Sequence, residues 1–203
     1  TASSPMKVVH KMHIDKDFNW AGDPDQCFAL MDKLGEGAFG AVYRGVMRST
    51  GSVMAIKVIR DLTSEDELAS EIEILKRCQN RNVVGYYGTV SKTPGEELWI
   101  LMELCKIGSV RDIIETCEQV ITEKQAAYIL FHSILGLIYL HNNHIIHRDI
   151  KAANILISDD MCVKMADFGV SEQLTSAVAK ADETVGTPMW MAPEVILQQD
   201  YDG

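Results

Sequence analysis

The stretch that decides the fold is a polar run followed by two short apolar runs. It reads His147-Arg148-Asp149-Ile150-Lys151-Ala152-Ala153-Asn154, then Ile155-Leu156-Ile157, and after a turn Cys162-Val163-Lys164-Met165 and Asp167-Phe168-Gly169. The apolar runs predict two short strands of a hairpin, with the polar residues at its rims. Asp149, Asn154 and Asp167 have the side chains of a base and two metal ligands. Because catalytic groups commonly lie at the rims of rigid elements, we expect a functional site here.

The composition is that of a globular protein with reduced thiols. The chain has 203 residues, 47% of them hydrophobic and 24% charged, enough for one large or two small domains. A net charge of -10 offers no basic surface, so neither nucleic acid nor an anionic membrane is an expected partner. The longest apolar run, residues 128–140, is too short to span a membrane and fits a buried helix. Five cysteines without close pairing indicate a cytoplasmic location rather than a disulfide framework or zinc site.

The first half of the chain predicts a small antiparallel sheet. Residues 1–22 lack periodicity and fit a mobile lead-in. Asp23, Pro24 and Gln26 then predict a short helix that starts with a capping box. Alternating apolar residues and turn signals predict strands over residues 28–34, 41–47, 53–58, 83–90 and 98–103, with a turn at 93–95.

Helices are predicted beside the sheet and after it. A capping box at residues 64–67 opens a helix to about residue 79, with Leu68, Ile72 and Leu75 on one stripe. From residue 109 the pattern becomes helical, and a second capping box at residues 122–125 opens a long helix through residue 140. We place a boundary between two lobes near residues 105–108.

A glycine-rich turn joins the first two predicted strands. The spacing Gly35-x-Gly37-x-x-Gly40 also opens dinucleotide-binding folds, where the third glycine enters a helix. Here residues 41–46 continue as a strand, which favours a flexible hairpin that covers phosphate groups. Its glycines would let backbone N–H groups approach phosphate oxygens. A glycine-rich hairpin with a purely structural role is the alternative.

A lysine and a glutamate are expected to pair between the sheet and the first long helix. Lys57 follows Met54-Ala55-Ile56 in an apolar strand, so its charge needs an anion or a path to water. Glu71 lies three residues after Leu68 and four before Leu75, on the stripe that faces the sheet. The pair would position Lys57 against phosphate, whereas Glu71 alone could be a solvated helix residue.

Together these motifs resemble the eukaryotic protein kinase family. The set is completed by Ala192-Pro193-Glu194, and it occurs in the family's order over residues 28–203. The resemblance implies an α+β, bilobal fold with an antiparallel-sheet N-lobe, one regulatory helix and a mainly helical C-lobe that is incomplete here. It divides the chain into a lead-in (1–27), an N-lobe (28–104) and a partial C-lobe (105–203).

The resemblance also assigns roles to individual residues. Asp149 would accept the proton of the substrate hydroxyl, Asn154 and Asp167 would hold Mg²⁺, and Lys57, oriented by Glu71, would contact the ATP phosphates. Lys151 resembles the serine/threonine-specific pattern and would reach the γ-phosphate, with Thr187 bonded to both Asp149 and Lys151. The nucleotide would contact Leu34, Gly35, Glu36, Gly37, Ala38, Phe39, Gly40, Ala41, Val42, Ala55, Lys57, Met102, Glu103, Cys105 and Leu156. The backbone of Glu103 and Cys105 would pair with the adenine edge.

Among kinases, the chain is similar to the sterile-twenty group and its Hippo-type members. The similarity is carried by residues 34–43, 98–105, 108–110, 149–156, 167–170 and 186–194. One position departs from the group, which commonly has an activating Thr four residues before the position of Thr187. Glu183 stands there, with Thr184 next to it. Because a phosphate carries roughly two charges and a carboxylate one, we expect Thr184 to be the phosphosite and Glu183 a partial mimic that pairs with Arg148. An unmodified, solvated Thr184 is the alternative.

The chain stops nine residues after Glu194, whereas catalytic domains of the family continue with several helices. We therefore expect exposed apolar surface on the helix over residues 122–140, and poor activity of these 203 residues alone.

The leading functional hypothesis is an ATP-dependent protein serine/threonine kinase that uses Mg²⁺ and acts on protein substrates in intracellular signalling. It would be activated by an upstream kinase or by trans-autophosphorylation. A non-enzymatic, nucleotide-binding scaffold with the same fold is the alternative, since fold alone does not establish activity. A nicotinamide oxidoreductase is disfavoured by the strand after Gly40.

Overall fold

The computed structural model describes residues 19–20, 23–37, 40–60, 65–93, 97–116, 121–174 and 181–202. Several predictions fall outside this described part: residues 1–18 of the lead-in, Ser64 of the predicted capping box, residues 94–95 of the predicted turn, and the glycine-loop residues Ala38 and Phe39. No helix within it is long and apolar enough to cross a membrane.

The first half of the chain forms a six-stranded sheet with one long helix against it. The strands are β1 (Asn19–Trp20), β2 (Phe28–Gly37), β3 (Gly40–Met47), β4 (Val53–Ile59), β5 (Tyr86–Thr93) and β6 (Glu97–Met102), and the helices are α1 (Pro24–Cys27) and α2 (Glu65–Arg77). The order across the sheet is β1-β5-β6-β4-β3-β2. All neighbours pair antiparallel except β1 and β5.

β4 and β6 lie at the centre of the sheet, and apolar residues cover both of its faces. One face packs around Phe28, Met54 and Trp99, all fully buried. The other face packs Ile59 and Ile100 with residues of α2 and of the second half. Because strands buried on both faces read as apolar runs, the sequence of β4 shows little alternation.

The stripe predicted for α2 faces this second apolar cluster. Leu75 is 1% exposed, and Leu68 and Ile72 are partly buried against the same cluster. Glu71 on that stripe is also buried, at 4% exposure. A buried carboxylate requires a partner, and Lys57 of β4 is the partner of Glu71.

The second half is mainly helical, with short strands around the polar motif. Its elements are β7 (Gly108–Ser109), α3 (Val110–Thr116), α4 (Glu123–Asn142), β8 (Ile145–Ile146), β9 (Ile155–Ile157), β10 (Val163–Met165), β11 (Glu172–Gln173) and α5 (Pro193–Ile196). The predicted hairpin is confirmed, because β9 and β10 pair antiparallel. The predicted capping box of α4 is also confirmed, with Thr122 and Gln125 as its members. Ile155 and Met165 of the hairpin pack in one apolar cluster with Leu137 of α4.

One side of α4 is apolar and exposed. Leu130, Phe131 and Ile134 are 54–59% exposed, and Ile138 is 50% exposed. The exposed apolar surface expected on this helix is therefore present. A surface of this kind favours association or aggregation.

Three local predictions were wrong. Asn19 and Trp20 are not part of an unstructured lead-in, because they pair parallel with Thr89 and Val90 at the edge of the sheet. The strand predicted from Val83 begins at Tyr86, since Val83 forms a parallel bridge with Met165 in the second half instead.

The third wrong prediction concerns how α1 begins. The Asp23 carboxylate accepts a hydrogen bond from the Asp25 N–H at 3.1 Å, whereas the Gln26 N–H donates to the Asp23 carbonyl at 3.0 Å. The predicted short helix is present, but Asp23 caps it through the second residue rather than through a capping box with Gln26.

Candidate active site

The polar loop between β8 and β9 is fixed by a buried histidine. His147 is 1% exposed, and its Nε2 lies 3.0 Å from the Ala166 carbonyl. Burial lowers the pKa of His147, so its ring is neutral at physiological pH. A neutral ring that donates through Nε2 leaves Nδ1 to accept from the Asp149 N–H, 3.4 Å away. The ring also lies 5.0 Å from the ring of buried Phe168, which ties the loop to the segment after β10.

Asp149 is held by three side chains. Asn154 Nδ2 donates to the Asp149 carboxylate at 2.8 Å and to its carbonyl at 2.9 Å. The Thr187 hydroxyl donates to the other carboxylate oxygen at 2.5 Å. Lys151 Nζ lies 2.8 Å from the carboxylate and donates to the Thr187 hydroxyl at 2.7 Å. The carboxylate is therefore fixed in orientation by a closed set of hydrogen bonds.

These contacts determine the charge of Asp149. Burial alone would raise the pKa of this carboxyl, but the hydrogen bonds from Lys151, Thr187 and Asn154 outweigh burial and lower it below the usual value of 3.8. Asp149 is therefore ionised at neutral pH and able to accept a proton.

Lys57 connects the sheet, α2 and the segment after β10. Its Nζ donates to Glu71 Oε1 at 2.7 Å, and both side chains are buried. The Asp167 carboxylate lies 3.6 Å from the same Nζ. The pair expected from the sequence is thus formed, and it directs the lysine towards Asp167.

Asn154 and Asp167 fit a magnesium ion. Both hydrogens of Asn154 Nδ2 are committed to Asp149, which leaves Asn154 Oδ1 as a buried oxygen able to ligate a cation. The Asp167 side chain is 49% exposed, and its backbone has a φ of 65°. No group of three His, Cys, Asp or Glu side chains among the described residues could hold a metal by itself. Mg²⁺ commonly uses one or two protein oxygens plus substrate phosphates, and these two residues suit that arrangement.

The glycine-rich turn lies between β2 and β3, in a hairpin as the sequence predicts. Gly37 pairs with Gly40, and Glu36 pairs with Ala41. A Cβ at Gly35 would meet no other atom within 4 Å, which leaves open space for a ligand. Gly40 is required for a different reason, since its φ is 137° and a Cβ would lie 2.2 Å from the Val58 carbonyl oxygen. Glu36 is exposed and bonds to Lys33 at 2.6 Å.

The predicted adenine-binding residues lie on neighbouring strands and at the end of β6. Ala55 pairs with Met102, and Val42 pairs with Lys57, so these four residues lie on one face of the sheet. The Glu103 N–H donates to the Gly85 carbonyl at 2.8 Å, and the Cys105 carbonyl accepts from the Gly108 N–H at 3.2 Å. The Glu103 carbonyl and the Cys105 N–H have no backbone partner within the described part of the chain, and these groups would face a base edge.

The remaining predicted contacts differ in exposure. Leu34 is 50% exposed, whereas Leu156 on β9 is partly buried. Burial and then the Glu103 carboxylate raise the pKa of the Cys105 thiol to about 12, so this thiol is protonated and unreactive at neutral pH.

One ion pair that the sequence reasoning missed joins the two halves. Buried Lys164 on β10 lies 3.0 Å from the Glu103 carboxylate and donates to the Arg81 carbonyl at 2.8 Å. The same carboxylate accepts from the Gly85 N–H at 3.1 Å. The sequence contains a signal that could have predicted this pair. Lys164 lies between the apolar residues Val163 and Met165, just as Lys57 follows an apolar run. A lysine within a buried strand requires an anion wherever it occurs.

The glycine-rich hairpin, the Lys57–Glu71 pair, and Asp149 beside Asn154 and Asp167 form the arrangement expected from the protein kinase resemblance, in an antiparallel-sheet lobe followed by a mainly helical one. The chain matches the family model of the protein kinase domain over residues 28–203, and it belongs to that family.

Relatives with known names support the serine/threonine type. The chain is 49% identical to serine/threonine-protein kinase pakF of Dictyostelium discoideum, over 98% of this chain and 17% of that protein. It is 44% identical to pakH of the same organism, over 98% of this chain and 39% of that protein. It is also 46% identical to serine/threonine-protein kinase hippo of Drosophila melanogaster, over 88% of this chain and 26% of that protein. The predicted membership of the protein kinases is confirmed, and the Hippo-type resemblance agrees with the last relative.

Proposed function

We propose that the protein is an ATP-dependent protein serine/threonine kinase that transfers the γ-phosphate of ATP to Ser or Thr hydroxyls of protein substrates. The observation that carries this proposal is the bonded set of Asp149, Lys151 and Thr187, with distances of 2.5–2.8 Å. It places an ionised carboxylate beside a cation in the loop that leads into the β9–β10 hairpin. The chain spans between a sixth and two fifths of the relatives it matches, so the proposal concerns the full-length protein.

Each polar residue then has a chemical role. Asp149 would take the proton of the substrate hydroxyl as its oxygen bonds to the γ-phosphorus, while the bond from that phosphorus to the oxygen bridging the β-phosphate breaks and ADP leaves. Lys57 would orient the α and β phosphates, held in place by Glu71, and Lys151 would contact the γ-phosphate. Mg²⁺, when bound, supplies positive charge to the transferring phosphoryl group.

Asn154 has two parts in this proposal. Its amide nitrogen orients Asp149, and its oxygen would hold the metal together with Asp167. The same side chain would thereby couple the orientation of Asp149 to the binding of the metal. Substitution of Asn154 should therefore disturb proton transfer as well as metal binding.

The scaffold alternative has less support. A non-enzymatic protein would not require Asp149 to be ionised or Lys57 to be paired, yet both conditions are met. A cytoplasmic location is part of the proposal, supported by the free thiols of the four cysteines that the structure describes. Activation by an upstream kinase or by trans-autophosphorylation is also proposed, from the family resemblance.

The test is transfer of labelled phosphate from ATP in the full-length protein, with Asp149→Asn as the inactive variant. The expected result is loss of transfer with ATP binding retained, because the substitution removes the base but keeps the shape of the side chain. Asp159→Asn is the matched control, since Asp159 lies in the turn between β9 and β10 and the one ion pair that it forms in the described part of the chain, with Lys106, is exposed. Equal transfer by the wild type and Asp149→Asn would contradict the proposal.

A further inference from the structure

A buried lysine that the proposed chemistry does not use contacts the linker between the two halves of the chain, residues 103–105. Lys164 of β10 is 6% exposed. Its Nζ lies 3.0 Å from the Glu103 carboxylate and donates to the Arg81 carbonyl at 2.8 Å. Glu103 directly follows β6, where the sheet ends and the mainly helical half begins. Lys164 therefore ties the hairpin of the second half to the first residue of the linker.

The position of Lys164 on the hairpin places its side chain beside the predicted nucleotide site. The Cα partner of Lys164 across the hairpin is Leu156. Side chains directly opposite each other on antiparallel strands lie on the same face of the sheet. Lys164 thus shares a face of the hairpin with Leu156, which is one of the residues assigned to the nucleotide.

Glu103 is also held by the loop before β5. Its carboxylate accepts a hydrogen bond from the Gly85 N–H at 3.1 Å, and its own N–H donates to the Gly85 carbonyl at 2.8 Å. A Cβ at Gly85 would lie 3.1 Å from the same carboxylate oxygen, so a glycine allows this close approach. Residue 103 is therefore fixed through its side chain and its backbone together.

Lys164 is the counter-ion of this carboxylate. Among the ion pairs that the described residues form, Glu103 takes part in one, with Lys164. Burial and then the Glu103 carboxylate raise the pKa of the Tyr87 phenol to about 12, as they do for the Cys105 thiol, so both neighbours are uncharged at neutral pH. The carboxylate consequently has one charge-assisted contact, which a substitution of the lysine would remove.

The backbone groups expected to pair with the adenine edge belong to this linker. They are the Glu103 carbonyl, an acceptor, and the Cys105 N–H, a donor. Adenine offers a donor at N6 and an acceptor at N1, whereas guanine offers an acceptor at O6 and a donor at N1. Guanine would therefore meet the carbonyl with an acceptor and the N–H with a donor. A backbone held in one orientation rejects such a mismatch, because the polar groups of the site are left unpaired.

We propose that Lys164 is a positioning residue for nucleotide selection: by holding the Glu103 carboxylate, it fixes the direction of the Glu103 carbonyl and of the Cys105 N–H, and so favours ATP over GTP. The inference rests on the proposed kinase function and concerns its nucleotide. Without the lysine the linker backbone gains freedom. Its bonds to adenine then weaken, and its mismatch with guanine is relieved in part.

The kinetic test compares the wild type with Lys164→Met in the full-length protein, because methionine retains an apolar stem and removes the charge. kcat and KM are measured with ATP and with GTP at a saturating concentration of substrate protein. KM for ATP should rise about threefold to tenfold at an unchanged kcat, as expected when one charge-assisted contact that orients the nucleotide site is lost. kcat/KM for GTP should not fall, so the preference for ATP should shrink by the same factor.

Hydrogen exchange of the nucleotide-free protein gives a readout that does not depend on activity. The Glu103 N–H is bonded to the Gly85 carbonyl, and it should exchange faster in Lys164→Met because the linker opens more often. The amides in the middle of α4 should exchange as in the wild type. A purely structural role of Lys164 would instead raise exchange in both places and leave the preference for ATP unchanged.

Two further variants complete the design. Glu103→Gln removes the charge on the other side of the pair and keeps an oxygen for the Gly85 N–H, so it should raise KM for ATP by a similar factor. The double variant with Lys164→Met should be no weaker than either single variant. Lys106→Met is the matched control, since Lys106 connects the segment after β6 to the same hairpin through an exposed pair with Asp159. Its kinetics should be those of the wild type.

The outcomes separate this inference from the proposed function. An unchanged KM for ATP in Lys164→Met and Glu103→Gln, equal losses with ATP and GTP, additive effects in the double variant, or unchanged exchange at Glu103 would overturn the inference while Asp149→Asn remained inactive. Full transfer by Asp149→Asn would instead overturn the kinase function itself.

Discussion

The Thr187 hydroxyl gives the sharpest quantitative prediction. It accepts a bond from Lys151 at 2.7 Å and donates one to Asp149 at 2.5 Å. Thr187→Val keeps the shape of the side chain and removes both bonds. A hydrogen bond to a charged group contributes about 1.5–3 kcal/mol. The direct contact between Lys151 and Asp149 at 2.8 Å remains and compensates in part.

We therefore expect a net loss of about 2 kcal/mol of transition-state stabilisation, which lowers kcat about 30-fold. The assay is steady-state phosphoryl transfer by the full-length protein with ATP and peptide varied separately. KM for ATP should change little, because Thr187 contacts Asp149 and Lys151 but none of the residues assigned to the adenine or to the α and β phosphates. Thr187→Ser, which restores the hydroxyl, is the control and should recover most of kcat.

The pH profile provides a second readout of the same substitution. The Thr187 bond is one of the contacts that lower the pKa of Asp149. Without it the pKa of Asp149 rises, and the acid limb of kcat/KM should move to higher pH. The reasoning is refuted if Thr187→Val has the kcat of Thr187→Ser, or if the acid limb stays in place despite a fall in kcat.

Three other predictions test the surrounding structure. Glu71→Gln removes the negative charge of a buried ion pair with Lys57, although Asp167 stays near the lysine. We expect kcat/KM for ATP to fall by about tenfold or more. An unchanged kcat/KM would contradict a role of Glu71 in positioning Lys57. Burial lowers the pKa of His147 from 6.5, so the unfolded state binds a proton that the folded state does not as pH falls below 6.5. The free energy of unfolding, measured with urea, should therefore fall as the pH drops below 6.5, and this fall should be smaller in His147→Phe; an equal fall in the two proteins would contradict the burial of a neutral His147. Gly40→Ala would place a Cβ against the Val58 carbonyl at a φ of 137°, so its thermal midpoint should fall by several degrees, whereas an unchanged midpoint would refute the clash.

The motif residues could be placed from sequence because each has a local cause. Lys57 needed an anion, and Glu71 lay on the stripe of α2 that was predicted to face the sheet. The hairpin over residues 155–165 followed from two apolar runs separated by a turn, and Thr122 with Gln125 marked the start of α4. These features depend on neighbours in sequence, so the pattern was sufficient.

Contacts between distant segments were harder to predict. Val83 has the side chain of a strand residue, but its partner is Met165 rather than a strand of the sheet. Likewise, Asn19 and Trp20 form a strand because the edge of β5 offers unpaired backbone groups, which their own sequence does not reveal. Arg148 bonds to the expected Glu183 at 3.0 Å and also to Glu172 at 2.7 Å, and this second contact depends on the same long-range packing. Only the three-dimensional arrangement determines these pairings.

The central claim is that Asp149 serves as the base for transfer to a Ser or Thr hydroxyl. The most direct measurement is single-turnover transfer of labelled γ-phosphate from ATP to a protein substrate by the full-length protein, compared between the wild type, Asp149→Asn and Asp159→Asn. The account predicts transfer by the wild type and Asp159→Asn, and its loss in Asp149→Asn with ATP binding preserved. Transfer by Asp149→Asn at the wild-type rate would contradict it.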